Sequence, residues 1–419
     1  MASKRAVITG LGAVSCIGNS VNEMWRNLIS GHSGISTITA FDPAEFSCRI
    51  AGEVKSLELP SLSAKEKRRM ARFHLLAAAA AEEALRHAGI DPADPLADGT
   101  DPFRFGVIAG NAAGGVDIYD RNLLALHERG GGAVSALFLP LYIVNSVSGM
   151  LAIRFKARGV NFTPVSACAT GCHAIGEAYK SILCGQADMI LAGGSEACIS
   201  PGLIAGFQAL TALSCRNSDP ARANRPFDRD RDGFVLAEGA GFLVLEELEH
   251  AKKRGAEILA EISGYGATCD AYHITSPAPD GSADARAMRD AIFQAGIMPE
   301  QVGYLCAHGT GTVVNDLYES RAINAAFGEY AAKLPVSSIK SMTGHTLSAA
   351  GALESIACIM AIRENTIPPT ANCDHIDPEC RINVVCGKAR HCQVDYALNN
   401  ALGFGGHNAA LIFNRYKEM

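Results

Sequence analysis

The stretch Val165-Ser166-Ala167-Cys168-Ala169-Thr170-Gly171-Cys172-His173 constrains this chain most. An apolar approach, Val160 to Val165, runs into a turn of small residues. Ala174 to Leu183 then carries apolar residues at helical spacing. The spacing predicts a strand that hands over to a helix, with Cys168 near the helix N-terminus. Unpaired backbone N–H groups and the helix dipole there favour a thiolate over a thiol. Ala167, Ala169 and Gly171 leave room for a bulky group to approach the sulfur. A buried structural cysteine satisfies the same local pattern. The choice between them rests on residues far downstream.

A chain of 419 residues is long for one compact domain, so two closely packed halves are expected. The net charge of −6 argues against general nucleic-acid or anionic-membrane binding. No run of 18 apolar residues predicts a membrane span. No signal-peptide pattern opens the chain, so its 14 cysteines are expected to be reduced thiols of a cytoplasmic protein. Cys373, Cys380, Cys386 and Cys392 lack paired metal-ligand spacing, and no metal is expected.

Short apolar strands alternate with helical patterns along the chain. Arg5–Leu11, Phe105–Ala109, Met189–Gly194 and Gly241–Leu245 read as strands of a first half. Ile258–Tyr265, Val302–Ala307, Pro335–Ser338, Tyr396–Leu402 and Ala409–Phe413 read as strands of a second. Val21–Ile29, Ser63–Ala88, Pro140–Ile153, Ala283–Ala295, Leu317–Phe327 and Thr346–Ile362 read as helices. The alternation predicts α/β layers, and its restart near residue 256 suggests an internal duplication. The halves are expected at 1–255 and 256–419. Gly10, Gly12 and Gly18 fit neither dinucleotide nor P-loop spacing. Ser63 and Glu66 form a capping-box pattern. Lys65, Lys67, Arg68 and Arg69 beside it read as a solvated face or a docking patch for an acidic partner. Ala221 to Gly241 looks like an exposed, charge-rich loop.

Two histidines lie in turns of small and hydroxyl residues. His308 sits in Ala307-His308-Gly309-Thr310-Gly311-Thr312, directly after a strand. His345 ends Lys340-Ser341-Met342-Thr343-Gly344-His345. Such turns after strands are where α/β folds place their sites. A thiol and two imidazole donors suffice for acyl transfer with stabilisation of an enolate. They would also serve a cysteine protease.

The motifs SACATG, NRPFDRDRDGFVLAEGAG, DAYHITSPAPDG, AHGTGT, IKSMTGH and GFGGHN stand in order along the whole chain. In this the sequence resembles the β-ketoacyl-[acyl carrier protein] synthases, the type II chain-elongating condensing enzymes. The resemblance implies the thiolase fold, with two similar halves in five α-β-α-β-α layers, and a homodimer. It implies a decarboxylative Claisen condensation on substrates carried by the phosphopantetheine of an acyl carrier protein, with no other cofactor. Cys168 would hold the acyl chain, and His308 and His345 would stabilise the malonyl-derived enolate. The backbone N–H groups of Cys168 and Phe404 would face the oxyanion, with Phe404 also the gate. The resemblance further implies that Lys340 orders the site through Glu319, and that Asp316 holds the turn. Thr275, Ser276, Thr310 and Thr312 would line the pantetheine tunnel. The Lys65–Arg69 patch would dock the carrier.

Four positions depart from the family pattern. Val313 replaces a proline after HGTGT, and Leu402 replaces a gate phenylalanine. Ala113 stands where a bulky aliphatic residue guards the acyl pocket, and Thr211 where an arginine meets the carrier. These differences also fit a specialised ketosynthase of polyketide, polyene or unusual-lipid biosynthesis. A coenzyme A thiolase would need a second cysteine in the C-terminal glycine loop, which carries His407 instead. A chain-length-factor-like subunit would lack the nucleophile.

Overall fold

The computed structural model describes residues 4–418. Five strands build the first half: β1 (Ala6–Val14), β2 (Phe105–Gly110), β3 (Asn161–Phe162), β4 (Met189–Glu196) and β5 (Gly239–Glu247). Five build the second: β6 (Ala260–Cys269), β7 (Tyr304–Cys306), β8 (Pro335–Ser337), β9 (Tyr396–Gly403) and β10 (His407–Asn414). Their spatial orders are β1-β5-β4-β2-β3 and β6-β10-β9-β7-β8. Each half pairs its first strand antiparallel to its last, and its last antiparallel to its fourth. The remaining neighbours are parallel in both halves. One topology therefore occurs twice. Antiparallel pairing of Ala6–Ile8 with Ala260–Ile262 joins the two sets into one sheet, and Asn383–Val384 extends its far edge.

Helices α1 (Arg72–His87) and α2 (Thr170–Leu183) belong to the first half. Helices α3 (Ser282–Gln294), α4 (Val313–Phe327) and α5 (Ala350–Glu364) belong to the second. α1 covers β1 and β5 from outside, and α3 covers β6 and β10. α2 and α5 lie against each other between the sheets, which gives the layer sequence α-β-α-β-α. Every residue from Ala350 to Ile362 is buried. The run AGALESIACIMAI is apolar or small on nearly all sides, as a central helix must be. Near their starts, α2 and α5 approach through glycine. A Cβ on Gly171 would lie 2.7 Å from the Ser348 carbonyl oxygen, and one on Gly351 would lie 2.7 Å from the Cys172 nitrogen.

The duplication extends to the turns before these helices. Ala167–Ala169 and Leu347–Ala349 are both single 3₁₀ turns. Ala167 (φ 49°) and Leu347 (φ 47°) are both left-handed non-glycine residues, a conformation costing about 1–3 kcal/mol.

Three sequence expectations change. Ser63–Ala88 is two helices, Ala64–Lys67 and Arg72–His87, because the backbone extends at Ala71 (φ −73°, ψ 164°). The Ser63–Glu66 capping box closes the first helix start as expected, and His74 Nδ1 accepts from the Ala71 N–H at the break. Pro140–Ile153 likewise divides into Phe138–Tyr142 and Ser146–Arg154. The charge-rich 221–241 segment is not an exposed loop. Asn224, Arg225, Asp228, Arg231 and Glu238 are buried, with Arg225 paired to Asp228 and Arg231 to Asp377 at 2.6 Å. Its buried charges are satisfied internally, while Arg222, Arg229, Asp230 and Asp232 stay exposed.

Candidate active site

Cys168 sits in the middle of the 3₁₀ turn that runs directly into α2. The Ser166 N–H donates to Thr170 Oγ1 at 2.8 Å and fixes the entry to the helix. β3 supplies only two residues of the predicted approach strand, and 163–166 lies outside the ladder. The helix start does not leave a resting thiolate. Burial pushes the Cys168 thiol up to about 12, against the opposing pull of Lys340 and of a hydrogen bond from the Phe404 N–H. Desolvation here outweighs the helix terminus and favours the thiol.

The Phe404 N–H comes from the loop between β9 and β10. Gly403 pairs with His407 across this hairpin, and Gly405 (φ 90°) and Gly406 (φ 77°) make the tight return. A Cβ on Gly403 would meet the Ser166 carbonyl oxygen at 2.5 Å and the Cys168 nitrogen at 3.2 Å. Only glycine lets the loop lie this close to the nucleophile turn.

His308 follows β7, and His345 follows a helical turn, Lys340–Thr343. Their rings meet edge to face, with centroids 5.3 Å apart. Burial first, then Lys340, holds both imidazoles well below their ordinary 6.5. Both are therefore neutral near pH 7, and each carries a single N–H. Lys340 Nζ lies 3.3 Å from His308 Nδ1 and donates to the His308 carbonyl at 2.6 Å. The ammonium has no acceptor role, so Nδ1 takes the hydrogen bond and the proton of His308 is left on Nε2.

The partner of Lys340 is Glu354 on α5, not Glu319. Both members of the pair are 1% exposed. Glu319 instead accepts from the backbone N–H groups of His308 and Gly309, each at 2.7 Å, and from Asn400 Nδ2 at 2.9 Å. Eleven residues along the chain, it clamps the histidine turn rather than the lysine. Asp316 holds the same turn as expected, accepting from the N–H groups of Gly311 and Phe227. The sequence did carry a signal for Glu354, the lone acidic residue in the otherwise apolar run of α5.

Glu319 gives the site a specific pH response. Burial pushes its carboxyl up to about 7, so it gains a proton just below neutrality. The charged form accepts the three hydrogen bonds, and protonation weakens them. Buried Asp284, facing it through Asn400, is raised well above the carboxylate range and stays neutral. A pH–rate profile should therefore show an acid limb near 7 that comes from Glu319 and not from an imidazole. Glu319→Gln should remove that limb. A limb that persists in the variant refutes the assignment.

Cys168, His308 and His345 share one cavity of about 350 Å³. Thr275, Ser276, Thr310, Thr312, Leu402 and Phe404 also line it, as do Thr211 and Val313. Phe207 and Phe234, which the sequence reading did not single out, complete its apolar wall. Ala113 is not among the lining residues. Its N–H donates to Glu196 at 3.2 Å. Lys65, Arg68 and Arg69 are exposed and Lys67 half-buried. They lie away from this cavity. Lys67 and Arg68 line a separate surface groove with Arg121 and Arg129, two cations the sequence reading missed.

Among the described residues no cluster of three metal-ligating side chains occurs, and no helix is long and apolar enough to cross a membrane. The four C-terminal cysteines are free thiols, like the other ten.

A cysteine on a strained turn and two neutral histidines on a twice-used α/β topology define a condensing enzyme of the thiolase fold. The chain belongs to the β-ketoacyl synthase family. Residues 3–251 match its N-terminal domain and residues 259–374 its C-terminal domain. A 3-oxoacyl-[acyl-carrier-protein] synthase 2 of Synechocystis is 45% identical over 99% of both chains. The protein of that name from Staphylococcus aureus strain N315 is 46% identical over the same share. Two solved structures are similar over 99% of this chain and all of theirs. One is a type II polyketide acyl-carrier protein in complex with its ketosynthase bound to the hexaketide (35% identity, TM-score 0.90). The other is the ishigamide ketosynthase/chain length factor (36%, TM-score 0.91).

Proposed function

We propose that the chain is a β-ketoacyl-[acyl carrier protein] synthase that lengthens a fatty acyl chain by two carbons. The observation that carries this reading is the convergence of Cys168, His308 and His345 on one cavity, which Phe404 also lines. Cys168 takes the acyl group from a phosphopantetheine thioester, and the carrier thiol leaves with the proton. A malonyl thioester then loses carbon dioxide. The electron pair of the broken bond moves onto the thioester oxygen, where the N–H groups of His308 and His345 receive it. Decarboxylation makes the nucleophile without a strong base, so neutral donors suffice. The new carbanion attacks the acyl carbonyl on Cys168, whose oxyanion faces the Cys168 and Phe404 N–H groups. Collapse expels the Cys168 thiolate. Lys340 holds the His308 tautomer, and Thr275, Ser276, Thr310 and Thr312 guide the prosthetic arm.

The substrates arrive on carrier-bound phosphopantetheine, and no other cofactor is required. The Lys65–Arg69 patch, extended by Arg121 and Arg129, is the docking surface for an acidic carrier. The halves divide at 255/256, and the enzyme acts in the cytoplasm as a homodimer. Exposed Leu123, Leu124, Leu126 and Leu139 on the 116–142 segment support a covered face of this kind. Intact-mass measurement after exposure to a panel of acyl-carrier thioesters tests the reading. One acyl adduct per chain is expected, and no adduct with any of them overturns it.

Leu402 favours a second reading with the same chemistry, in which the enzyme serves a specialised lipid or polyketide pathway. It lines the cavity where the family places a phenylalanine. Leu402→Phe should slow loading of the longest acyl chains by about tenfold or more, the scale of a few methylenes in a pocket, and leave the shortest unchanged. Equal loading across the panel would exclude Leu402 as a selectivity residue. Ala113→Ile, which changes the loop held by Glu196, serves as the comparison.

A further inference from the structure

We infer that His173 is a positioning residue that locks the nucleophile turn against the glycine-rich loop, so that the two oxyanion N–H groups keep their spacing. This rests on the condensation reading above. The two donors come from separate segments, Cys168 on the turn before α2 and Phe404 on the β9–β10 loop. Their separation is therefore set by whatever ties those segments together.

His173 lies between them. On one side its Nδ1 is 2.7 Å from Ser166 Oγ, the only partner of that hydroxyl among the described residues. Ser166 also presents its carbonyl to Gly403, the last residue before Phe404. On the other side the His173 ring meets the His407 ring edge to face, with centroids 6.4 Å apart. His407 opens β10 and tucks under the loop, since a Cβ on Gly405 would lie 3.0 Å from His407 Nε2. Tyr265 on β6 closes the third side of His173 at 6.3 Å. One imidazole thus touches the turn directly and the loop through a second imidazole. Neither is used by the decarboxylation machinery of His308, His345 and Lys340.

Burial and the neighbouring His407 hold His173 below its ordinary value, against the Ala169 carbonyl and Glu177, with Lys180 acting in the same direction as burial. The ring is neutral at pH 7 and offers Ser166 one donor or one acceptor. The contact orients a donor rather than making one. Its loss should therefore cost less than the 10²–10³-fold of a deleted oxyanion donor.

The test separates the two half-reactions. Acyl loading is followed by intact mass with an acyl-carrier thioester. Malonyl decarboxylation is followed by carbon dioxide release in a Cys168→Gln background, where no loading occurs. His173→Leu should slow loading by about tenfold and leave decarboxylation within about twofold. His173→Asn, which restores a polar atom near Nδ1, should recover part of the loss. Ser166→Ala removes the same hydrogen bond with little change in volume and should show the same split, should His173→Leu fail to fold. Unchanged loading in both Leu and Ala variants overturns the inference. So does an equal fall in both half-reactions, or an Asn variant no better than Leu. Wild-type enzyme that neither loads nor decarboxylates would instead overturn the condensation reading itself.

Discussion

Cys168→Ala is expected to abolish acyl-enzyme formation, and Cys168→Gln to abolish it while keeping malonyl decarboxylation. The structure separates the two functions physically. The sulfur lies on the turn before α2, whereas His308 and its turn are held by Lys340, Glu319 and Asp316, and the His345 backbone pairs with Val235 and Ala237. A glutamine amide at 168 fills the position of an acylated sulfur and leaves the histidine turns untouched. Loading read by intact mass should fall below detection in both variants. Carbon dioxide release from malonyl-carrier should persist in the Gln variant. Stoichiometric acylation of the Ala variant would move the nucleophile elsewhere. Cys172 is the built-in control. It is fully buried, within hydrogen-bond reach of Asn399 Nδ2 at 3.3 Å, and its thiol is raised well above the ordinary value by burial. Cys172→Ala should load normally.

The second large effect concerns Lys340 and Glu354. Lys340→Met leaves Glu354 buried without its counter-ion, and Glu354 Oε2 has no hydrogen-bond partner among the described residues. Breaking one side of a buried ion pair costs about 3–5 kcal/mol. The same change frees His308 Nδ1, so both decarboxylation and condensation should fall. Lys340→Met with Glu354→Gln removes both charges. The double variant should regain most of the lost thermal stability while its activity stays low. Such an outcome would separate the lysine's service to the histidine from its service to the fold. Recovery of activity along with stability would show that Lys340 acts only as a structural counter-ion.

Much of the fold was legible in the sequence because strand and helix periodicities depend on near neighbours. The strands at Arg5, Phe105, Met189, Ile258 and Val302 fell where β1, β2, β4, β6 and β7 lie. The clustering of Cys168, His308 and His345 was legible for a different reason. Cys168 lies in the turn that opens α2, His308 follows β7, and His345 lies between the helical turn 340–343 and the turn that opens α5, the connecting segments where layered α/β folds place their sites. Partner choice was not legible. Glu319 stands 21 residues before Lys340 and Glu354 stands 14 after it, and neither separation says which carboxylate reaches the ammonium. That depends on α5 passing between the sheets. The buried charges of 224–238 were hidden for a similar reason, because Arg231 finds Asp377 far along the chain. The thiolate expectation failed because a helix terminus acts locally, while desolvation is a property of the whole assembled cavity.

The kinked turn occurs twice, and only one copy performs chemistry. Ser348 occupies in the second half the place that Cys168 occupies in the first, between a left-handed residue and an alanine. Its hydroxyl is spoken for, donating to Glu196 at 2.6 Å, and Glu196 in turn accepts from the N–H groups of Ala112 and Ala113. The backbone strain at the nucleophile is therefore not a toll levied by catalysis. It precedes both central helices of this chain, one with a nucleophile and one without. One twin became a reagent, and the other became a rivet beneath it.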